Sequence, residues 1–134
     1  MTKARGGFDV EMRPDSEDDS AEGTTLGCMV VDKQIYGDLE ASSRGRMLTG
    51  MTDVEGSAGY VLIERVRGRL HGRTGTFLLQ HWGILDHGAP RQMIEVVPDS
   101  GTGELAGLKG NLTVQIAEGK HSYEFDYTLV GRPR

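Results

Sequence analysis

The chain has 134 residues and one cysteine, so it is long enough for a single domain with its own core, and no disulfide can form within it. Fifteen basic and twenty acidic side chains give a net charge of −5, which argues against a nucleic-acid-binding protein, because phosphate neutralisation needs a positive surplus. No apolar run reaches the length of a membrane span and no apolar signal segment follows Met1, so we expect one cytoplasmic domain, residues 1–134, without a membrane partner.

Twenty glycines and four prolines favour many short strands joined by turns. The first strand candidates cover residues 7–13, 25–31 and 34–51. The acidic surplus lies between the first two, at Asp15, Glu17, Asp18, Asp19 and Glu22. Because this segment lacks the ligand spacing of an EF-hand, we interpret residues 14–23 as a mobile, solvated loop and not as a calcium or partner site.

The strand candidate at residues 60–70 has one apolar and one basic face. Its apolar side chains recur with period two, at Tyr60, Leu62, Val66 and Leu70. Strict alternation places Glu64 on this apolar face. A buried carboxylate must be paired or neutralised, and desolvation raises its pKa, so Glu64 is a candidate general acid/base or ligand anchor. The alternative is a structural glutamate paired with an arginine or with a neighbouring strand.

The next strand candidate, residues 76–85, contains His81. If the chain turns at Gly72 and Arg73, Glu64 and His81 lie directly opposite each other in an antiparallel pair and face the same side. Such a pair is either an acid/base unit or a cross-strand salt bridge. This register turns Phe77 and Leu79 inward and Leu78, Gln80 and Trp82 outward, whereas a shift by one residue would bring Gln80 inward in place of His81.

The basic face of residues 65–69 is interpreted as an outer surface. We expect Arg65, Arg67 and Arg69 to be balanced by Glu124 and Asp126, and not to bind nucleic acid. An outward Trp82 beside Leu78 would form an apolar patch that a second subunit covers. The sequence therefore predicts a homo-oligomer.

The remaining strand candidates cover residues 92–97, 112–117 and 123–129. Short turns between successive strands indicate antiparallel neighbours. About eight such strands predict an all-β fold, a single up-and-down barrel, because closure removes exposed sheet edges. A two-sheet sandwich is the structural alternative.

Residues 100–110 match a dinucleotide fingerprint only superficially, since a strand and not a long helix follows them. We interpret them as a turn with a short helical piece that Thr102 caps and Gly107 ends. The four histidines lack metal-binding spacings, and neither a nucleophile elbow nor a phosphate loop is present. The sequence predicts no metal site and no cofactor.

Several motifs occur in one order along the chain, namely residues 37–40, Glu64-Arg65-Val66-x-Gly68-x-Leu70-x-Gly72-Arg73-x-Gly75-x-Phe77, Gln80-His81 and residues 102–110. Together they resemble an uncharacterised bacterial family of small barrels that are similar to allene oxide cyclase and, more distantly, to dirigent proteins. The resemblance spans residues 7–127 and implies an allene-oxide-cyclase-like barrel. It assigns no role to any residue, because that family has no established function.

Three functions fit such a barrel, whose interior has room for side chains and at most one small ligand. The first and favoured one is binding of a small apolar or amphipathic molecule, lined by Tyr60, Phe77, Tyr123 and Tyr127 and anchored by Glu64 and His81. The second, implied by the resemblance, is a cofactor-free isomerase or cyclase. The third is a packed, structural barrel whose outer face forms an oligomer.

Overall fold

The computed structural model describes residues 1–130, which form an antiparallel barrel of eight strands with one additional short strand. The strands are β1 (Thr2–Pro14), β2 (Asp19–Ala21), β3 (Thr24–Gly37), β4 (Leu39–Thr52), β5 (Ala58–Leu70), β6 (Arg73–Asp86), β7 (Ala89–Val96), β8 (Leu108–Ala117) and β9 (Lys120–Leu129). Strands β3 to β9 pair in chain order, and β1 closes the barrel between β9 and β3. The predicted all-β up-and-down barrel is confirmed.

The observed strands begin and end up to six residues from the predicted bounds, and two segments differ in more than their ends. The run at residues 34–51 is not one strand, because the chain turns at Gly37 and Asp38 between β3 and β4. Gly37 has φ +102°, and a Cβ there would lie 2.6 Å from the carbonyl oxygen of Arg5, so only glycine fits this turn. The acidic segment is not a loop throughout, because β2 pairs with the start of β3 and Asp15 forms an ion pair with Arg46.

The β5–β6 hairpin fixes the orientation of the candidate site residues. Its turn consists of His71 and Gly72, both with positive φ, as a tight two-residue hairpin requires. Glu64 therefore pairs with Leu79, and His81 pairs with Leu62. The predicted direct opposition of Glu64 and His81 is wrong by two residues, and a slip of two residues preserves the face. Phe77, Leu79 and His81 are buried as expected, and Gln80 and Trp82 lie outside.

One half of the barrel interior is filled with apolar side chains. Phe77 and Phe125 stack with ring centroids 6.0 Å apart, and the ring of Tyr127 lies 5.3 Å from that of Phe125. A single 3₁₀ turn, Gly103–Leu105, covers this end and inserts Leu105, which is fully buried. Among residues 1–130, this half is a packed hydrophobic core.

Thr102 does not cap the 3₁₀ turn with its side chain, in contrast to the prediction. Instead it bonds with β6, because its backbone N–H donates to the carbonyl of Thr76 and its hydroxyl accepts from the N–H of Thr76. Glu104 extends this attachment by accepting a hydrogen bond from the N–H of Thr74 at 2.9 Å. The turn is thus fastened to the barrel wall.

The barrel wall has one weak seam, between β7 and β8. Every other neighbouring pair of barrel strands is joined by at least seven paired residues. Within residues 1–130, β7 and β8 share the single pair Glu95 and Asn111. We call this boundary the β7–β8 seam.

Replacing Leu105 with Ala should lower the free energy of unfolding by about 2–5 kcal/mol, because it leaves a cavity in the packed end. Denaturant unfolding of both proteins measures the difference. Leu26→Ala is the matched control, since Leu26 is 60% exposed and its loss should change stability little. Equal effects of the two substitutions would contradict a packed end at Leu105.

Candidate functional site

A cavity of about 340 Å³ occupies the half of the barrel that the 3₁₀ turn does not cover. Every strand of the barrel contributes to its wall, which is mostly apolar and includes Val31, Met47, Leu62, Ile94 and Val114. Met12 and Met51, both about half exposed, lie at its mouth. Such a volume is at the small end of the range for ligand pockets.

Tyr60 and Gln92 form a polar edge of the cavity, where the tyrosine hydroxyl lies 3.4 Å from the side-chain oxygen of Gln92. The Tyr60 ring lies over Gly83, its partner on β6, where a Cβ would approach the ring to 2.2 Å. Glycine at this inward position therefore permits the ring to lie there. His121 lines the cavity as well, with its ring 5.0 Å from that of Phe8.

Lys33 and His81 connect the cavity to a buried carboxylate. Both side chains line the cavity, and both contact Oε2 of Glu64, which is only 2% exposed. The ammonium of Lys33 donates to Oε2 at 2.9 Å, and the hydroxyl of Ser43 donates to Oε1 at 2.6 Å. His81 places Nε2 against Oε2, although the ring N–H is not aligned with that oxygen. We call these four residues the Glu64 cluster.

A glycine makes room for the cluster on the neighbouring strand. Gly45 of β4 faces Glu64 of β5 in the ladder. A Cβ at Gly45 would lie 2.4 Å from the carbonyl oxygen of Ile63 and 2.7 Å from Cβ of Glu64. Any larger residue would push the two strands apart at the carboxylate.

The charge of Glu64 is fixed by its partners. Burial alone raises the pKa of this carboxyl, but the contact with His81, the positive charge of Lys33 and the hydroxyl of Ser43 outweigh burial and hold the pKa at about 2. The expected rise in pKa is therefore wrong, and the partner is a lysine and not an arginine. A carboxylate that stays ionised and is held by three side chains is unsuited to proton transfer at neutral pH.

The predicted ligand-lining residues divide between the two halves of the barrel. Tyr60 and His81 line the cavity, and Glu64 lies behind it. Phe77, Tyr123 and Tyr127 belong to the packed half. The Tyr123 hydroxyl bonds with backbone groups of Tyr36 and Leu39, and the Tyr127 hydroxyl lies 2.5 Å from Nδ1 of His71.

Sequence reasoning missed the lysine of the site. Lys33 lies between Val31 and Ile35, so the same period-two rule that turned Glu64 inward would have turned Lys33 inward. Ser43 could have been found in the same way, between Ala41 and Met47 on the inner face of β4. For Gln92 and His121, which also line the cavity, no comparable sequence pattern indicated an inward side chain.

An exposed apolar stripe crosses the outer wall. Its members are successive ladder partners on β3 to β7, so they form one row of neighbours. We call it the outer stripe, and it consists of Cys28, Leu48, Val61, Trp82 and Met93. Trp82 is 38% exposed. This is the outward tryptophan that the alternation predicted.

The expected balance of the outer arginines is wrong. Glu124 and Asp126 pair with Lys3, and Glu124 also pairs with Arg5, because β9 lies next to β1 and not next to β5. Arg69 has a long contact of 3.5 Å with Glu40. Within residues 1–130, Arg65 and Arg67 have no ion-pair partner, so they are solvated charges.

Metal-binding clusters and membrane-spanning helices are absent from residues 1–130. No group of three or more His, Cys, Asp or Glu side chains in this part of the chain is arranged to hold a metal ion. None of its helices is long and apolar enough to cross a membrane.

The chain is similar to proteins whose function is not known. The model of the DUF3224 family, described as proteins of unknown function, matches residues 4–127. A crystal structure of a protein with unknown function from the DUF3224 family of Shewanella oneidensis MR-1 is 50% identical, covering 98% of this chain and 99% of that chain, with a TM-score of 0.94. None of the curated proteins matches the chain.

Replacing Glu64 with Gln should lower the free energy of unfolding by roughly 3–5 kcal/mol near neutral pH, because Lys33 keeps a buried charge without its partner. The pKa of about 2 in the folded protein lies below the ordinary 4.5, so the wild-type advantage is complete above the ordinary value. It should shrink as the pH falls from 4.5 towards 2. Denaturant unfolding at several pH values measures both proteins.

The control is Glu40→Gln, since the Glu40 side chain is 65% exposed. This variant should match the wild type at each pH. A difference between Glu64→Gln and wild type that stays constant over the acidic range would contradict the assigned charge of Glu64.

Proposed function

The chain belongs to the DUF3224 family of proteins of unknown function, and we propose that it is a barrel that binds a small apolar or amphipathic molecule in its cavity. The observation that carries this proposal is the uneven filling of the interior. One half is closed by packed aromatic and aliphatic side chains, whereas the other encloses about 340 Å³. A purely structural barrel gains stability by filling such a space.

The composition of the wall supports an apolar or amphipathic ligand. Met47, Met12 and Met51 supply flexible side chains that adapt to the shape of a bound molecule. The polar groups, Lys33 and His81 among them, are few and lie at defined places, as is typical of pockets that orient one ligand. Of the residues predicted to line the ligand, the proposal keeps Tyr60 and His81.

A cofactor-free isomerase or cyclase is the second candidate function. The resemblance of the chain's motifs to a family of barrels similar to allene oxide cyclase suggests it, and the contact between His81 and Glu64 beside the cavity favours it. Binding is preferred because the Glu64 carboxylate is already held by Lys33 and Ser43. Chemical conversion of a bound molecule would distinguish the enzyme from the binding protein.

We also propose that two copies of the chain associate through the part of the outer stripe formed by Val61, Trp82 and Met93 on the neighbouring strands β5, β6 and β7. Arg91 and Glu95 flank Met93 on the outer face of β7 and are exposed. Neither has an ion-pair partner among the described residues. If two copies face each other about a twofold axis along the stripe, Arg91 of one copy meets Glu95 of the other, twice. In this arrangement apolar side chains of the two copies face each other, and opposite charges meet beside them.

Native mass spectrometry before and after incubation with methyl octanoate tests the binding function. We expect a one-to-one adduct with the wild type, and a loss of about tenfold or more in occupancy when Val114 is replaced by Trp, because the indole fills the cavity. Thr113→Trp is the matched control, since Thr113 is exposed on the same strand. No adduct with wild type, or an adduct that Val114→Trp retains, would contradict binding in this cavity.

Sedimentation velocity tests the association. We expect a dimer for wild type and about a tenfold or greater rise in the dimer Kd for Trp82→Glu and for Arg91→Glu. The double variant Arg91→Glu, Glu95→Arg should recover the dimer, because it exchanges the two charges. A monomeric wild type, or an Arg91→Glu defect that the second exchange does not repair, would contradict the proposed arrangement.

A further inference from the structure

The imidazole of His81 has one ring nitrogen left for a ligand. Its Nε2 lies against Oε2 of Glu64, and its ring lines the cavity. A nitrogen beside a carboxylate oxygen carries its hydrogen, since a lone pair there would be repelled. In the neutral ring the lone pair is then on Nδ1, and among residues 1–130 nothing bonds to Nδ1. His81 is 4% exposed, so little of its side chain is in contact with bulk water.

The ammonium of Lys33 lies beside the same cavity with unused donors. It has three N–H groups, and within the described residues only Glu64 accepts from it, at 2.9 Å. The side chain is 11% exposed, and Nζ lies 5.1 Å from the centroid of the Phe8 ring. A negatively charged oxygen in the cavity would find hydrogen-bond donors here.

The charges of the cluster determine which ligand fits. Glu64 and Lys33 cancel each other, so an added carboxylate would leave one negative charge uncompensated in an apolar cavity, at a high cost in free energy. A proton on Nδ1 of His81 removes this imbalance, because two carboxylates then face two cations. The other titratable groups that line the cavity are Tyr60 and His121.

We propose, on the basis of the binding function above, that the ligand is an amphipathic carboxylic acid. Its carboxyl group lies between Lys33 and Nδ1 of His81, and its apolar tail fills the space between the methionines and the aliphatic wall. The acid gives its proton to Nδ1, or enters as the carboxylate while Nδ1 takes a proton from solvent. No bond other than O–H and N–H changes, and no oxidant or co-reactant is needed.

Other ligand classes fit less well. An amine would bring a second cation beside Lys33, and a hydrocarbon would leave the donors of Lys33 without an acceptor. An ester offers its carbonyl oxygen as an acceptor, but without the negative charge that strengthens the bond to an ammonium. A hydrogen bond between charged groups in such a site is worth enough to favour the acid over its methyl ester by about tenfold or more.

Calorimetric titration with octanoic acid and with methyl octanoate tests the inference. The titration is made at about pH 8, where the free acid is ionised, in two buffers with different heats of ionisation. We expect octanoate to bind with uptake of about one proton per site, and the ester to bind about tenfold or more weakly without proton uptake. His81→Gln should lose the proton uptake and most of the preference for the acid, because the amide cannot take a proton.

His121→Gln is the matched control, because His121 also lines the cavity but makes no contact with Glu64. It should keep both the proton uptake and the preference. Should His81→Gln fail to fold, nitrogen NMR of wild-type His81 replaces it. The Nδ1 resonance should change from that of a lone-pair nitrogen to that of a protonated one when octanoate is added.

The outcomes separate the inference from the binding function. Equal affinity for acid and ester without proton uptake would overturn the inference and leave cavity binding intact. Proton uptake that persists in folded His81→Gln would also overturn it, since another group would then be the acceptor. If neither probe binds the wild type, both the inference and the binding function are contradicted.

Discussion

One buried charge organises the interior of this barrel. Glu64 lies on the inner face of β5, where burial disfavours its ionised form, yet the chain holds it as a carboxylate. Its partners come from three other strands, since Lys33 belongs to β3, Ser43 to β4 and His81 to β6. Four consecutive strands are therefore tied together at one level of the barrel by charged and polar contacts, and not by apolar packing alone.

This level also separates the two halves of the interior. Below it, Phe77, Phe125 and Leu105 fill the space and the 3₁₀ turn covers the end. Above it, a smaller apolar cluster around Val31, Met47 and Leu62 leaves part of the interior unfilled, and the cavity results. Lys33 and His81 face both environments, because each contacts Glu64 and lines the cavity. The apolar part of the proposed ligand would thus fill the empty space, and its polar group would bond with Lys33 and His81.

The sequence was sufficient for the fold and for part of the site. Alternation along β5 placed Glu64 on the inner face, the assumed hairpin turn placed His81 on the same face, and the spacing of turns predicted about eight antiparallel strands. The register of the β5–β6 hairpin was missed by two residues, because the turn could use His71 in a left-handed conformation as well as Gly72. A period-two pattern tolerates that error, since it preserves the face.

The alternation of apolar and polar residues does not show at which level along the barrel axis an inward side chain lies. Phe77 and Tyr127 alternate inward as Tyr60 does, yet only Tyr60 lies at the level of the cavity. That difference depends on how far each strand is staggered against its neighbours, and stagger is a property of the closed barrel. The pairing of Lys33 with Glu64 was missed for a related reason. Alternation turns both side chains inward, but β3 and β5 are separated by β4, and no local pattern links the two strands.

The β7–β8 seam bears on how a molecule would enter and leave. Gln92 and Ile94 of β7 and Val114 and Ile116 of β8 line the cavity on either side of it. Since Glu95 and Asn111 form the single ladder pair there among residues 1–130, the wall can part at this place without breaking the long ladders that hold the other strands. Local opening of the β7–β8 seam would then set the rate of ligand exchange and the rate of amide hydrogen exchange in these two strands. Both rates would be independent of global unfolding.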